Sequence, residues 1–231
     1  MNLLITSAAS SLAQSLAHSL GAEHAVRLTE RIPTPNLADF AVGALGHDLS
    51  TNLLARGMDA IVHVAEPLPT DNELQQIDYL TRCTYNLCMA AVAEGVRRLV
   101  YLSTLDLMTA YDASFAVSER WRPRPTPAAP LLAKHLGEFV CREFAREHKL
   151  DVTVLRLGHV VQAATVADAP FDPCWVDEQD VAQAVQRALV TDSGRWTVLH
   201  IQHEGPQARF SIATAQRVLG FAPGVDFSFP G

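Results

Sequence analysis

Short apolar runs alternate with segments of helical apolar spacing along nearly the whole chain, and this alternation constrains the fold more than any other feature. Runs at 2–6, 24–29, 38–45, 60–64, 98–102, 152–155 and 197–201 read as strands. Segments 10–20, 50–56, 73–94, 131–148, 179–190 and 212–219 read as helices, with Gly95 and Gly220 as stop signals. Strands that alternate with helices join most readily through parallel crossovers. The expected fold is therefore α/β, a Rossmann-like doubly wound parallel sheet with helices on both faces. Pro123, Pro125, Pro127 and Pro130 forbid a continuous helix and make 106–129 a loop. No repeat or linker divides the 231 residues, so residues 1–231 are expected to form one domain.

Charge narrows the choice of partners. A formal net charge of −7 leaves no excess of Lys and Arg to neutralise phosphates, which argues against nucleic acid and anionic membranes. Basic residues cluster only at Arg97-Arg98 and from Arg120 to Arg124. The opening Met1-Asn2-Leu3-Leu4-Ile5 reads as a first strand and not as a leader, and no apolar stretch approaches a membrane span. Cys83, Cys88, Cys141 and Cys174 have no Cys-x-x-Cys spacing, which fits reduced thiols in a cytoplasmic protein with no metal site.

Several short motifs stand in a telling order. Thr6-Ser7-Ala8-Ala9-Ser10-Ser11-Leu12-Ala13 follows the first strand, Asp48-Leu49 precedes the second helix, and His63-Val64-Ala65-Glu66 ends the fourth strand. Asn86 lies in the long helix, and Val100-Tyr101-Leu102-Ser103-Thr104 closes the next strand. Pro130-Leu131-Leu132-Ala133-Lys134, Leu155-Arg156-Leu157-Gly158, Trp175-Val176-Asp177 with Asp180-Val181-Ala182, and Leu219-Gly220-Phe221-Ala222-Pro223 complete the series. Together they resemble the extended short-chain dehydrogenase/reductase family, NAD-dependent epimerase/dehydratase-like, over nearly the whole chain.

The resemblance implies roles residue by residue. NAD or NADP would lie on Thr6, Ser7, Ser10, Ser11 and Leu12, with Glu30 at the adenosine ribose and Arg31 near a 2′-phosphate. Asp48 and Leu49 would meet the adenine, and Val64 and Ala65 would line the cleft. Thr104 would polarise a substrate carbonyl and Lys134 would hold the nicotinamide ribose, while Asp106 occupies the place where dehydratase relatives carry an acid/base carboxylate. Asn86 would kink or hydrate the long helix. The two long helices would form a homodimer interface, and a small C-terminal portion, about 158–231, would lie on the substrate side.

The departures are as informative as the matches. The family writes Tyr-x-x-x-Lys where this chain has Pro130 and Lys134, and proline has no ionisable group to move a proton. Ser7, Ser10 and Ala13 replace the motif glycines, adding Cβ atoms where close backbone approach or positive φ is needed. Glu66 puts a carboxylate in the cleft, where it would repel a diphosphate. Met108 replaces a second family tyrosine, and Tyr111 is the nearest phenol in sequence. Few residues separate Val160 from Asp177, which disfavours a nucleotide-sugar substrate. Two readings stay open: a scaffold without Tyr-Lys redox catalysis that binds a small ligand or protein partner, or an NAD(P)-dependent oxidoreductase or epimerase using Thr104 with a non-standard acid.

Overall fold

The computed structural model describes residues 1–34, 36–166, 168–225 and 227. The seven-stranded sheet comprises β1 (Asn2–Ile5), β2 (Ala25–Glu30), β3 (Phe40–Val42), β4 (Ala60–His63), β5 (Arg98–Thr104), β6 (Asp151–Leu157) and β9 (Trp196–Ile201). Its order is β3-β2-β1-β4-β5-β6-β9, with every neighbouring pair parallel. A second parallel pair, β7 (His159–Val161) and β8 (Trp175–Asp177), lies apart from it.

The helices form where local chemistry starts and stops them. In α1 (Ser11–Leu20) the Ser10 hydroxyl accepts the Ala13 N–H at 3.1 Å, satisfying one of the orphan donors of the first turn. Asp48 caps α2 (Leu49–Ala55) through the Ser50 N–H, and Asn72 with Gln75 forms a capping box on α3 (Glu73–Asp78). Pro130 lies in the first turn of α5 (Ala129–Arg146), where its missing N–H costs nothing. Asp177 caps α6 (Glu178–Val190), and Gly220 ends α7 (Ala213–Leu219) in the left-handed region at φ 64°.

The long helix expected over 73–94 is broken. After α3 comes a π-turn over Tyr79–Cys83, then α4 (Thr84–Ala93). The Thr81 hydroxyl donates to the Ile77 carbonyl and the Thr84 hydroxyl to the Tyr79 carbonyl, so two side chains compete with the backbone ladder across the irregular turn. The irregularity precedes Asn86, whose amide donates to the Leu45 carbonyl at 2.9 Å. The strand read over 38–45 shortens to Phe40–Val42, and β7 had no sequence signal beyond three residues of an edge pair.

Each face of the sheet carries its own core. Leu3, Ile5, Leu16, Val62, Val100, Val185 and Leu199 pack on the α1 and α6 side, while Leu4, Ile61, Leu87, Tyr101, Val152 and Phe144 pack on the side of α2 to α5. The chain leaves β1 in both directions, toward β2 and toward β4, so a crevice opens at their carboxyl ends. That is where the loop after β1 and the end of β4 meet.

Candidate functional site

Ser7 takes the glycine conformation. Its φ is 60°, a left-handed backbone that costs a non-glycine residue about 1–3 kcal/mol unless its surroundings hold it there. They do: the buried Ser7 hydroxyl lies 2.8 Å from the Tyr79 hydroxyl and accepts the Glu66 N–H at 3.0 Å. Thr6 is tied similarly, its hydroxyl 2.7 Å from His63 Nδ1 and accepting the Val64 N–H at 3.2 Å. His63 Nε2 meets the Thr84 hydroxyl at 2.9 Å, and burial, followed by the Lys134 charge, pulls the imidazole down to about 3. Ala65 also has positive φ, at 56°, and both Val64 and Ala65 are buried.

The residues expected at the adenosine end are turned to internal work. Glu30 is only 3% exposed, and its carboxylate accepts the Ala9 N–H at 3.2 Å and the Arg31 N–H at 2.8 Å. Arg31 pairs with Asp71 and stacks 4.3 Å over the Tyr79 ring. Asp48 spends its carboxylate on the Ser50 N–H and hydroxyl, while Leu49 is exposed on the surface of α2. Ser11 and Leu12 line a cavity of about 480 Å³ with Glu66, Val160, Gln162 and Glu178. Among the described residues lining it there is no Lys or Arg.

On the opposite wall Lys134 donates to the Val64 carbonyl at 3.1 Å and the Leu102 carbonyl at 2.8 Å. Burial lowers its pKa to about 8, against the opposing pull of Glu66 and Glu138. No phenol stands one turn earlier, because that place is the exposed Pro130. Tyr111 does not replace it: its hydroxyl donates to the Arg122 carbonyl at 2.8 Å, and its ring packs edge-on against Trp121 with centroids 4.8 Å apart. Tyr111 braces the 111–124 loop, which removes the Tyr111–Lys134 pair.

Thr104 and Asp106 come together, with a partner the sequence did not announce. The Thr104 hydroxyl accepts the Asp106 N–H at 3.1 Å, opening a 3-10 turn over Leu105–Met108. The Asp106 carboxylate meets His159 Nε2 at 3.0 Å, and His159 Nδ1 meets Asp172 at 2.5 Å. His159 and Asp172 lie 53 and 66 residues from Asp106, so only the fold assembles the trio. Burial works against the imidazolium, but the hydrogen bonds and charges of Asp172 and Asp106 outweigh it and hold the His159 pKa above its ordinary value. A folded-state pKa above the unfolded value gives stability that is complete below about pH 6.5 and is lost as pH rises through the folded value. Because His159 is 45% exposed, the contribution is expected to stay under about 1 kcal/mol. Thermal melts from acid to mildly alkaline pH should show this decline in the wild type and not in His159→Gln; parallel curves would mean that the clasp carries no charge.

Among the described residues no group of His, Cys, Asp and Glu is arranged to hold a metal ion, and the four cysteines are buried and unpaired. No described helix is long and apolar enough to cross a membrane.

Comparison with known proteins adds a family and a fold. The model of the NAD dependent epimerase/dehydratase family matches residues 7–173, more than half of the chain. No curated protein matches. Among solved structures, uronate dehydrogenase from Agrobacterium tumefaciens is similar with a TM-score of 0.83 at 19% identity, covering 97% of this chain and 84% of its own. UDP-N-acetylglucosamine 4-epimerase from Bacillus cereus gives 0.81 at 16% identity, covering 98% and 95%. MoeE5, solved in complex with UDP-glucose and NAD, gives 0.79 at 20% identity, also covering 98% and 95%.

Proposed function

This chain belongs to the NAD dependent epimerase/dehydratase family, and we propose that it is a member without Tyr-Lys redox catalysis, a scaffold whose cleft binds a small ligand lacking phosphate groups. The observation that carries the reading is Lys134. Its ammonium is held by the Val64 and Leu102 carbonyls, and the residue one helical turn before it is Pro130. Pro130 carries no group that can pass a proton to or from a substrate, and the lysine has no phenolate to favour.

The residues present do not fit a dinucleotide. Glu66 and Glu178 line the cavity beside Ser11 and Leu12, so a diphosphate at the start of α1 would face two carboxylates, and the Lys134 ammonium near Glu66 is already held by two carbonyls. Gln162 does not neutralise Glu178; it only donates to it at 3.0 Å. Glu30, the residue suited to ribose hydroxyls, is buried and already accepts two backbone N–H groups. A neutral or cationic polyhydroxyl ligand has no such conflict, and Thr104 retains a hydroxyl proton for it.

Thermal shift with NAD, NADH, NADP and NADPH tests this. A dissociation constant of about 10 μM would stabilise the fold by about 2.7 kcal/mol at about 1 mM ligand, which is about 5–10 °C for a chain of this size. The expected shift is under about 1 °C with each. A rise of several degrees with any one of them overturns the reading. Pro130→Tyr should leave all four traces unchanged, because the cleft and not the missing tyrosine alone excludes the dinucleotide.

A second reading, an oxidoreductase or epimerase with a non-standard acid, is favoured by the Asp106–His159 pair beside Thr104. On either reading we infer a homodimer through α4 and α5, whose outer faces leave Tyr85, Met89 and Leu136 exposed.

A further inference from the structure

A second hollow lies away from the cleft, under the loop that carries Arg120 to Arg124. It has a volume of about 180 Å³ and is walled by Trp121, Phe139 and Trp196, with His135 and Arg142 on α5 and the Arg156–Glu138 pair below. Its charges are unbalanced in a way that is unusual for a chain of net charge −7. The two acids at the hollow are committed inward. Glu119 accepts the His200 N–H at 3.3 Å and the Thr214 hydroxyl at 3.0 Å, and Glu138 is paired with Arg156. Two of the cations are not committed. Arg120 and Arg122 are exposed and pair with no carboxylate among the described residues, and Arg142 stacks 3.9 Å over the Phe139 ring while reaching Glu143 only at 3.4 Å.

Guanidinium forks and flat aromatic walls specify a ligand. Guanidinium groups select a carboxylate by paired N–H···O bonds, and aromatic walls select a planar ring. The volume equals that of about six waters, room for a single ring and not for a nucleotide.

We propose that this hollow binds a small aromatic carboxylate: the carboxylate lies on Arg120, Arg122 and Arg142, and the ring lies against Trp121, Phe139 and Trp196. The site is independent of the cleft, so it stands whether or not a dinucleotide binds at β1 and β4.

The probe is 4-hydroxybenzoate, and the readout is tryptophan fluorescence, since Trp121 and Trp196 are two of only three tryptophans. A ligand of this size is expected to quench saturably with half-effect at about 1 mM. Uncharged 4-hydroxybenzyl alcohol, of the same outline, should bind about tenfold more weakly, as should 4-hydroxybenzoate to the Arg120→Gln/Arg142→Gln variant. Both arginines are exposed, so the variant's melting temperature should be unchanged, and the alcohol comparison needs no variant. Glu66→Ala in the cleft should leave the titration unaltered. Absence of saturation, equal affinity for the alcohol, or equal affinity for acetate would overturn the proposal. So would tighter binding of an oligoglutamate peptide, which would make the hollow part of a peptide surface.

Discussion

Glu138→Ala should cost about 3–5 kcal/mol of stability, a large part of the total for a domain of this kind. The Glu138 and Arg156 side chains are 5% and 4% exposed. Arg156 Nε donates to one carboxylate oxygen at 2.9 Å and Nη2 to the other at 2.7 Å, a bidentate pair between α5 and β6. Nη1 reaches the Met108 sulfur at 3.4 Å. Removing the carboxylate leaves a guanidinium inside the protein with a weak sulfur acceptor and no counter-charge. The desolvation already incurred is then uncompensated, and this decides the magnitude. The complementary Glu138→Leu/Arg156→Met protein removes both charges and should recover most of the loss, because an apolar pair of similar volume does as well as a buried ion pair. Urea denaturation of wild type, Glu138→Leu, Arg156→Met and the double variant provides the cycle. A single-variant cost below about 1 kcal/mol would mean that water reaches the pair and that it behaves as a surface salt bridge.

Gly158→Ala should be nearly as damaging, at about 3 kcal/mol or more, by a different mechanism. A Cβ at residue 158 would lie 1.9 Å from the Cys174 carbonyl oxygen and 3.3 Å from Gln202 Cβ. The first neighbour is backbone and cannot turn aside. Gly158 lies in the one-residue step between β6 and β7, its N–H bonded to the Ile201 carbonyl and the following His159 N–H to the Cys174 carbonyl. The added methyl group must therefore push β8 away from β7, breaking the His159↔Trp175 register. The same displacement draws His159 from Asp172, so the pH-dependent part of the stability should vanish together with the melting temperature loss. Thermal melts at two pH values check both effects. A variant that melts within about 2 °C of wild type would show that the step has slack.

These two sites illustrate what a linear reading can and cannot reach. Glu138 and Arg156 were visible as residues, Arg156 within Leu155-Arg156-Leu157-Gly158, but their pairing joins a helix to a strand 18 residues later. Gly158 was visible as a turn residue. Its necessity comes from the Cys174 carbonyl, in the turn just before β8, which arrives only after an intervening loop. The Glu73–Glu94 segment shows the opposite failure: its periodicity was real, but the Thr81 and Thr84 hydroxyls contest the backbone carbonyls and open a π-turn that places Tyr79 on Ser7.

The sequence by itself determined the order of strands and helices, most helix starts, the family resemblance and the absence of a tyrosine before Lys134. Those features depend on neighbours within a few residues: apolar period, capping side chains, proline in a first turn. Only the tertiary structure decided what the altered residues do. Ser7 keeps the left-handed turn because Tyr79, 72 residues away, and the Glu66 N–H hold its hydroxyl. Lys134 is held by carbonyls 70 and 32 residues distant, and Asp106 gains His159 from 53 residues away. Hydrogen bonds and charges act over a few ångströms of space whatever the distance along the chain, so their partners exist only once the sheet has brought its carboxyl ends together.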